Sequence, residues 1–198
     1  MTADLPRRSA GELRTTLREA RTEYERRTTA QSPPTLTKNL DVETFWAAEE
    51  ELLTQIPTHI KEYGHIEDKE LLESIVLWKF PVVIGSIREN PPTQITTVTE
   101  RAFQAERARD AIQILNELHG VADSIAGAIL MFAHPHRYTV MDPRATEALK
   151  ALGYWDGETA AVEELYEPYC LRCHELSQQT GLSLRDVDRA LYILGEEN

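Results

Sequence analysis

The sequence predicts an all-α fold, and three observations carry that expectation. Apolar residues recur every third or fourth position along most of the chain, as in Leu13, Leu17 and Ala20 or Leu72, Ile75 and Val76, which is the stripe a helix needs to bury one face. No segment shows the strict apolar and polar alternation of a half-buried strand. Start and stop residues stand where the stripes begin and end, among them Asp142-Pro143, Gly120, Gly153 and Ser183.

Residues 9 to 28 read as a polar helix laced with Arg and Glu, its apolar side formed by Leu13, Leu17 and Ala20, and Ser32-Pro33-Pro34 breaks it. This sets residues 1 to 38 apart as an N-terminal basic helix and linker, with 39 to 198 as the helical domain. Asp41 is placed to cap a second helix through Phe45, Trp46, Leu52, Leu53 and Ile56, which Pro57 and Gly64 interrupt. A third helix spans 67 to 80, and Asn90-Pro91-Pro92 makes a turn. Thr96 or Thr97 opens a helix through Val98 and Phe103; the next carries Ala108, Ala111, Ile112 and Leu115 as far as Leu118 and stops at Gly120. Residues 123 to 133 form a compact apolar helix ended by His134-Pro135-His136. Asp142-Pro143 starts a helix that reaches Leu152, and two more cover 159 to 179 and, capped by Ser183, 184 to 194. The count is nine or ten helices joined by short turns.

The chain has 198 residues, 41% hydrophobic and 27% charged, with 9 Gly, 10 Pro and 2 Cys. This composition excludes collagen-like, disulfide-stapled and disordered classes and leaves enough apolar surface for a real core. The first thirty residues hold seven Arg and no apolar run, and no later stretch approaches the roughly 20 apolar residues of a membrane span. A cytoplasmic protein is therefore expected, with Cys170 and Cys173 reduced. Taken alone, the net charge of -12 weighs against a nucleic-acid partner. Its distribution is uneven: residues 1 to 38 carry +3 and the remaining 160 carry -15.

Leu118-His119-Gly120-Val121-Ala122-Asp123-Ser124 joins two helices through a tight turn. Such a turn aims unpaired backbone N–H groups outward at the start of a helix whose dipole favours anions, a geometry that suits a phosphate and ignores base sequence. An ordinary αα-hairpin with a glycine stop fits the same residues. The segment resembles the helix-hairpin-helix motif: Leu118, Gly120, Val121, Ala126, Ile129 and Leu130 match it, while His119 stands for the usual Pro and Ala122 for the second Gly. Downstream, Tyr138-Thr139-Val140-Met141-Asp142-Pro143-Arg144-Ala145, 22 residues from Gly120 to Asp142, resembles the loop of the helix-hairpin-helix DNA glycosylases, the endonuclease III superfamily. Gly181 to Leu191, together with Trp78-Lys79, is similar to an uncharacterised bacterial group related to them.

The resemblance implies a helix-hairpin-helix DNA glycosylase-like helical bundle that binds duplex DNA through Gly120, Val121, Ala122 and Ser124, aided by Arg144. Asp142 would be the catalytic carboxylate that stabilises oxocarbenium character at deoxyribose C1′. It can equally serve as a helix cap, and the two roles are compatible. The Schiff-base Lys of bifunctional members falls at Ser124, so the resemblance implies monofunctional hydrolysis or no catalysis. Lys79 continues the stripe of Leu72, Ile75 and Val76, where it is either a second catalytic candidate, its nucleophilicity raised by burial and paired with Asp142 in one cleft, or runs its stem along the core with the amine in water. Trp78 and Tyr138 are candidates to stack on an extruded base.

Superfamily members that hold an iron–sulfur cluster use four Cys; this chain has two, so neither cluster nor other cofactor is expected. His174 beside Cys170 and Cys173 makes three soft ligands, and His134 and His136 read as loop residues, so no metal is assigned. No phosphate-binding or dinucleotide glycine loop occurs. The expected function is monofunctional DNA glycosylase activity in base-excision DNA repair; the rivals are a non-catalytic helix-hairpin-helix DNA-binding protein and a protein-interaction module. Because the phosphate donors are peptide groups in an acidic chain, the expected salt dependence of DNA binding is shallow.

Overall fold

A computed structural model describes residues 9–33, 42–155 and 162–196. Among them are ten α-helices, one 3₁₀ turn and no strand: α1 (Ala10–Thr29), α2 (Phe45–Tyr63), α3 (Lys69–Lys79), the 3₁₀ turn Pro81–Val83, α4 (Ile84–Arg88), α5 (Pro92–Gln104), α6 (Ala108–Leu115), α7 (Asp123–Ala133), α8 (Pro143–Ala151), α9 (Val162–Thr180) and α10 (Leu184–Leu194). The all-α expectation holds for these residues. No described helix is long and apolar enough to cross a membrane.

Helix α7 is the centre. Every residue from Ile125 to Ala133 is buried, as expected of a helix apolar all round. Helices α2, α3 and α6 pack on it, and α9 approaches closely enough that a Cβ on Gly127 would lie 3.3 Å from the Tyr166 ring. Helix α10 packs against α1 and α8.

Helix α1 does not stand apart on a linker. A capping box between Ser9 and Glu12 starts it, and Leu13, Leu17, Ala20 and Tyr24 carry its buried stripe into the same hydrophobic cluster as the rest of the chain. Its charges lie on the outer face, where Arg21 pairs with Glu25 and Asp186, and Arg26 and Arg27 pair with Glu23.

Several boundaries differ from expectation, and α6 ends at Leu115 rather than at Leu118. Asp41 lies outside the described residues, and the Thr44 side chain caps α2 by accepting from Ala47 N–H. Pro57 does not interrupt α2, which runs on to a left-handed stop at Gly64 (φ 79°); burial of Leu52, Ile56 and Ile60 outweighs the one backbone bond that proline removes. Helix α5 begins at Pro92 rather than at Thr96 or Thr97, since proline's missing N–H costs nothing in a first turn. Residues 81 to 88, assigned to no element from sequence, form the 3₁₀ turn and α4.

The bundle is pinned by a buried charge. Glu49 on α2 is 0% exposed. Its carboxylate accepts from Tyr24 Oη of α1 (2.6 Å), Trp78 Nε1 of α3 (3.3 Å), and Arg185 Nε (3.0 Å) and Arg189 Nε (2.7 Å) of α10. Burial raises its pKa, but the two guanidinium groups outweigh that and hold it down at about 2, against an ordinary 4.5.

Removing one partner of such a network leaves the others buried and uncompensated, so Glu49→Ala should cost about 3–5 kcal/mol in urea unfolding. Because the folded-state pKa is depressed, Glu49 contributes its stability above pH 4.5 and loses it as the pH falls toward 2. Glu49→Gln should flatten stability against pH across that window; an unchanged slope would show that the carboxylate is not the ionised hub.

Candidate active site

Lys79 is the last residue of α3 and Asp142 the N-cap of α8. Lys79 Nζ donates to Asp142 Oδ2 at 3.0 Å, with side chains 17% and 19% exposed. Asp142 Oδ1 meanwhile accepts from the backbone N–H of Arg144 at 3.0 Å. Capping and ion pairing thus use different oxygens, and together they fix the plane of the carboxylate.

The pair faces a cleft of about 390 Å³ lined from α1, the start of α2, α3, the segment that caps α8, and α10, with walls that include Trp78, Phe45, Tyr24 and Tyr192. Trp78 packs edge-on against Phe132 (4.9 Å between centroids) and has the Arg185 guanidinium 5.1 Å from its ring centre. The segment leading to Asp142 is held from α9, where Tyr166 Oη donates to Thr139 O (2.8 Å) and Tyr169 Oη to Val140 O (3.1 Å).

Tyr138 is placed elsewhere. It is 3% exposed and stacks on Tyr166 at 6.3 Å, so it belongs to the core and offers no face to a base in the cleft. The aromatic walls that sequence did not single out for the cleft are Tyr24, Phe45 and Tyr192.

Asp188 lies among the cleft-lining residues and is 3% exposed. It pairs with Arg185 one turn back. Burial raises its pKa, and Arg185 and Lys79 offset that only in part. One signal could have marked it: Arg185, Asp188 and Arg189 share a single face of α10 by their spacing, alongside the apolar Leu184, Val187 and Leu191 that bury the helix.

The hairpin forms as a turn between α6 and α7. Gly120 has φ 83°, and a Cβ there would sit 2.8 Å from Ser86 Cβ. Ala122 is extended (φ -105°, ψ 172°), a conformation that needs no glycine. Asn90 fastens the turn from the α4 side, accepting from His119 N–H (2.8 Å) and donating to His119 O (2.9 Å). No side chain caps α7, and Ser124 is exposed in its first turn. The groove beside Gly120, Val121 and Ala122 also contains Glu89 and Glu117, and Asp123 opens the helix; these carboxylates oppose the attraction of the helix end for phosphate. Glu117 is itself paired with Arg101 at 2.7 Å.

Arg144 lies over the Tyr192 ring at 4.7 Å and pairs with Glu196. Cys170 and Cys173 are buried, and burial pushes the Cys170 thiol up to about 12 and Cys173 well above its usual range, which suppresses thiolate chemistry. Among the described residues no three His, Cys, Asp or Glu side chains form a metal-binding group. Comparison with protein-family models, curated proteins and solved structures finds no match for this chain.

The two bonds of Asp142 separate by substitution. Asp142→Ala should destabilise by about 1–2 kcal/mol through loss of the cap, whereas Asp142→Asn, whose amide oxygen can still accept from Arg144 N–H, should lose under about 1 kcal/mol in the same unfolding assay. Gly120→Ala, forced into φ 83° against Ser86, should cost about 1–3 kcal/mol; a neutral substitution would mean that the turn is looser than its geometry indicates.

Proposed function

We propose that this chain is a helix-hairpin-helix DNA glycosylase-like bundle acting as a monofunctional DNA glycosylase, with duplex DNA as its partner and the Lys79–Asp142 cleft as its base pocket. One observation carries the reading: a cap-fixed carboxylate, 3.0 Å from a lysine amine, faces a cavity of about 390 Å³ with aromatic walls. That volume is within the usual range of small-ligand pockets. Trp78 would present its flank to the extruded base, and Asp142 would face the sugar.

Bond cleavage follows from that placement. As the C1′–N bond lengthens, its electron pair leaves with the base and positive charge builds on C1′ and the ring oxygen. The Asp142 carboxylate stabilises that charge at short range in a partly desolvated site. Water then adds at C1′, and the proton it sheds passes to the departing base, giving an abasic site and a free base. Lys79 acts as a positioning residue that holds Asp142 Oδ2 toward the cleft. Ser124 supplies no amine for a Schiff base, in keeping with hydrolysis alone.

Of the two rivals, a non-catalytic DNA-binding protein and a protein-interaction module, the second is favoured by the carboxylates around the hairpin and by the pairing of Arg21 and Arg27 within the chain. Incubation with duplexes carrying a panel of damaged, mismatched and modified bases, followed by detection of abasic sites, tests the choice. Base release by the wild type should fall about 100-fold or more in Asp142→Asn. Full activity in that variant removes Asp142 from the chemistry; duplex binding without base release favours the non-catalytic protein; and no binding at low salt leaves only the interaction module.

A further inference from the structure

The mouth of the cleft carries an arrangement that neither the hairpin nor the Lys79–Asp142 pair uses. Glu196, just beyond the end of α10, lines the cleft and places one carboxylate oxygen on Arg27 Nη1 of α1 and the other on Arg144 Nη1 of α8. The three side chains are 38%, 45% and 29% exposed for Arg27, Arg144 and Glu196, so both guanidinium groups remain open to solvent on one side. Each has a separate support: Arg27 Nε donates to Glu23 at 2.7 Å, and Arg144 lies on the Tyr192 ring. The tail is brought in closely, since a Cβ on Gly195 would overlap the backbone carbonyl of Arg144.

Two guanidinium groups on different helices, each taking one oxygen of a single anion, match the two free oxygens of a phosphodiester. Arg144 also follows Asp142 by two residues and donates its backbone N–H to it, so an anion held here is set beside the proposed sugar position. We propose that Arg27 and Arg144 bind one backbone phosphate of nucleic acid at the mouth of the cleft, and that Glu196 occupies this site in the free protein. The proposal rests on the DNA reading above for the identity of its ligand, while the anion site itself rests on the geometry.

Masking has a measurable signature. When phosphate displaces Glu196, the freed carboxylate gathers counterions as the DNA sheds its own, so the net salt dependence is small. Glu196→Gln removes the competitor and keeps the shape. With a short duplex followed by fluorescence anisotropy, Glu196→Gln should bind about 2- to 10-fold tighter than wild type at low salt, the worth of one or two exposed ion pairs. Its log–log salt slope should steepen by about one unit, the worth of one neutralised phosphate. Adding Arg27→Gln and Arg144→Gln together to that variant should take back about that one unit. Equal affinity and slope for wild type and Glu196→Gln, with duplex bound by both, would overturn the proposal.

If neither protein binds duplex, the DNA reading falls and inorganic pyrophosphate decides the anion site, read from the arginine Nε–Hε signals in NMR spectra. Signals of Arg27 and Arg144 that move at lower pyrophosphate concentration in Glu196→Gln than in wild type sustain it. Signals that stay fixed in both remove it.

Discussion

A buried carboxylate organises this protein. Glu49 has no exposed surface and draws donors from α1, α3 and α10 onto α2. A charge so placed is tolerable only when each oxygen is saturated, and that requirement fixes where the three other helices must pass. Tyr24, Trp78, Arg185 and Arg189 all line the cleft as well. The floor of the cleft is therefore the upper side of the Glu49 network, and Lys79 is brought to its edge because it follows Trp78 in the chain.

Asp142 reaches the same place by a different route. Its loop leaves the end of α7, the most buried helix, and is tied down by the Tyr166 and Tyr169 hydroxyls before Asp142 caps α8. Between Lys79 and the hairpin runs the short stretch through α4, which ends in Asn90 clasped to His119. The charge pattern completes the picture: within the -12 of the chain, Arg21, Arg26 and Arg27 of α1 are answered by carboxylates at Glu23, Glu25, Asp186 and Glu196.

Much of this was legible from residues alone. Stripes such as Leu72, Ile75 and Val76 locate helices because burial of one face requires that spacing, and Asp142-Pro143 locates a helix start because both residues suit an end with orphan N–H groups. The Lys79–Asp142 pair was legible as one of two readings for a lysine on an apolar stripe, and the structure realises it. Pro57 misled, since a single lost bond counts for less than three buried aliphatic side chains. Tyr138 misled because a tyrosine in a loop near the site can as easily turn inward, and here Tyr166 receives it.

Local chemistry therefore settled the helical class and most helix ends, since caps, stripes and glycine turns act over a few positions of chain. Only folding in space settled that Glu49, Arg185 and Arg189 are one buried network, that Asp188 lines the cleft, and that Glu196 closes on Arg27 and Arg144. Charges on a helix read as solvated unless a partner is known. Those partners stand between 52 and 169 residues away, as for Arg144 and Arg27 with Glu196, beyond the reach of any periodicity.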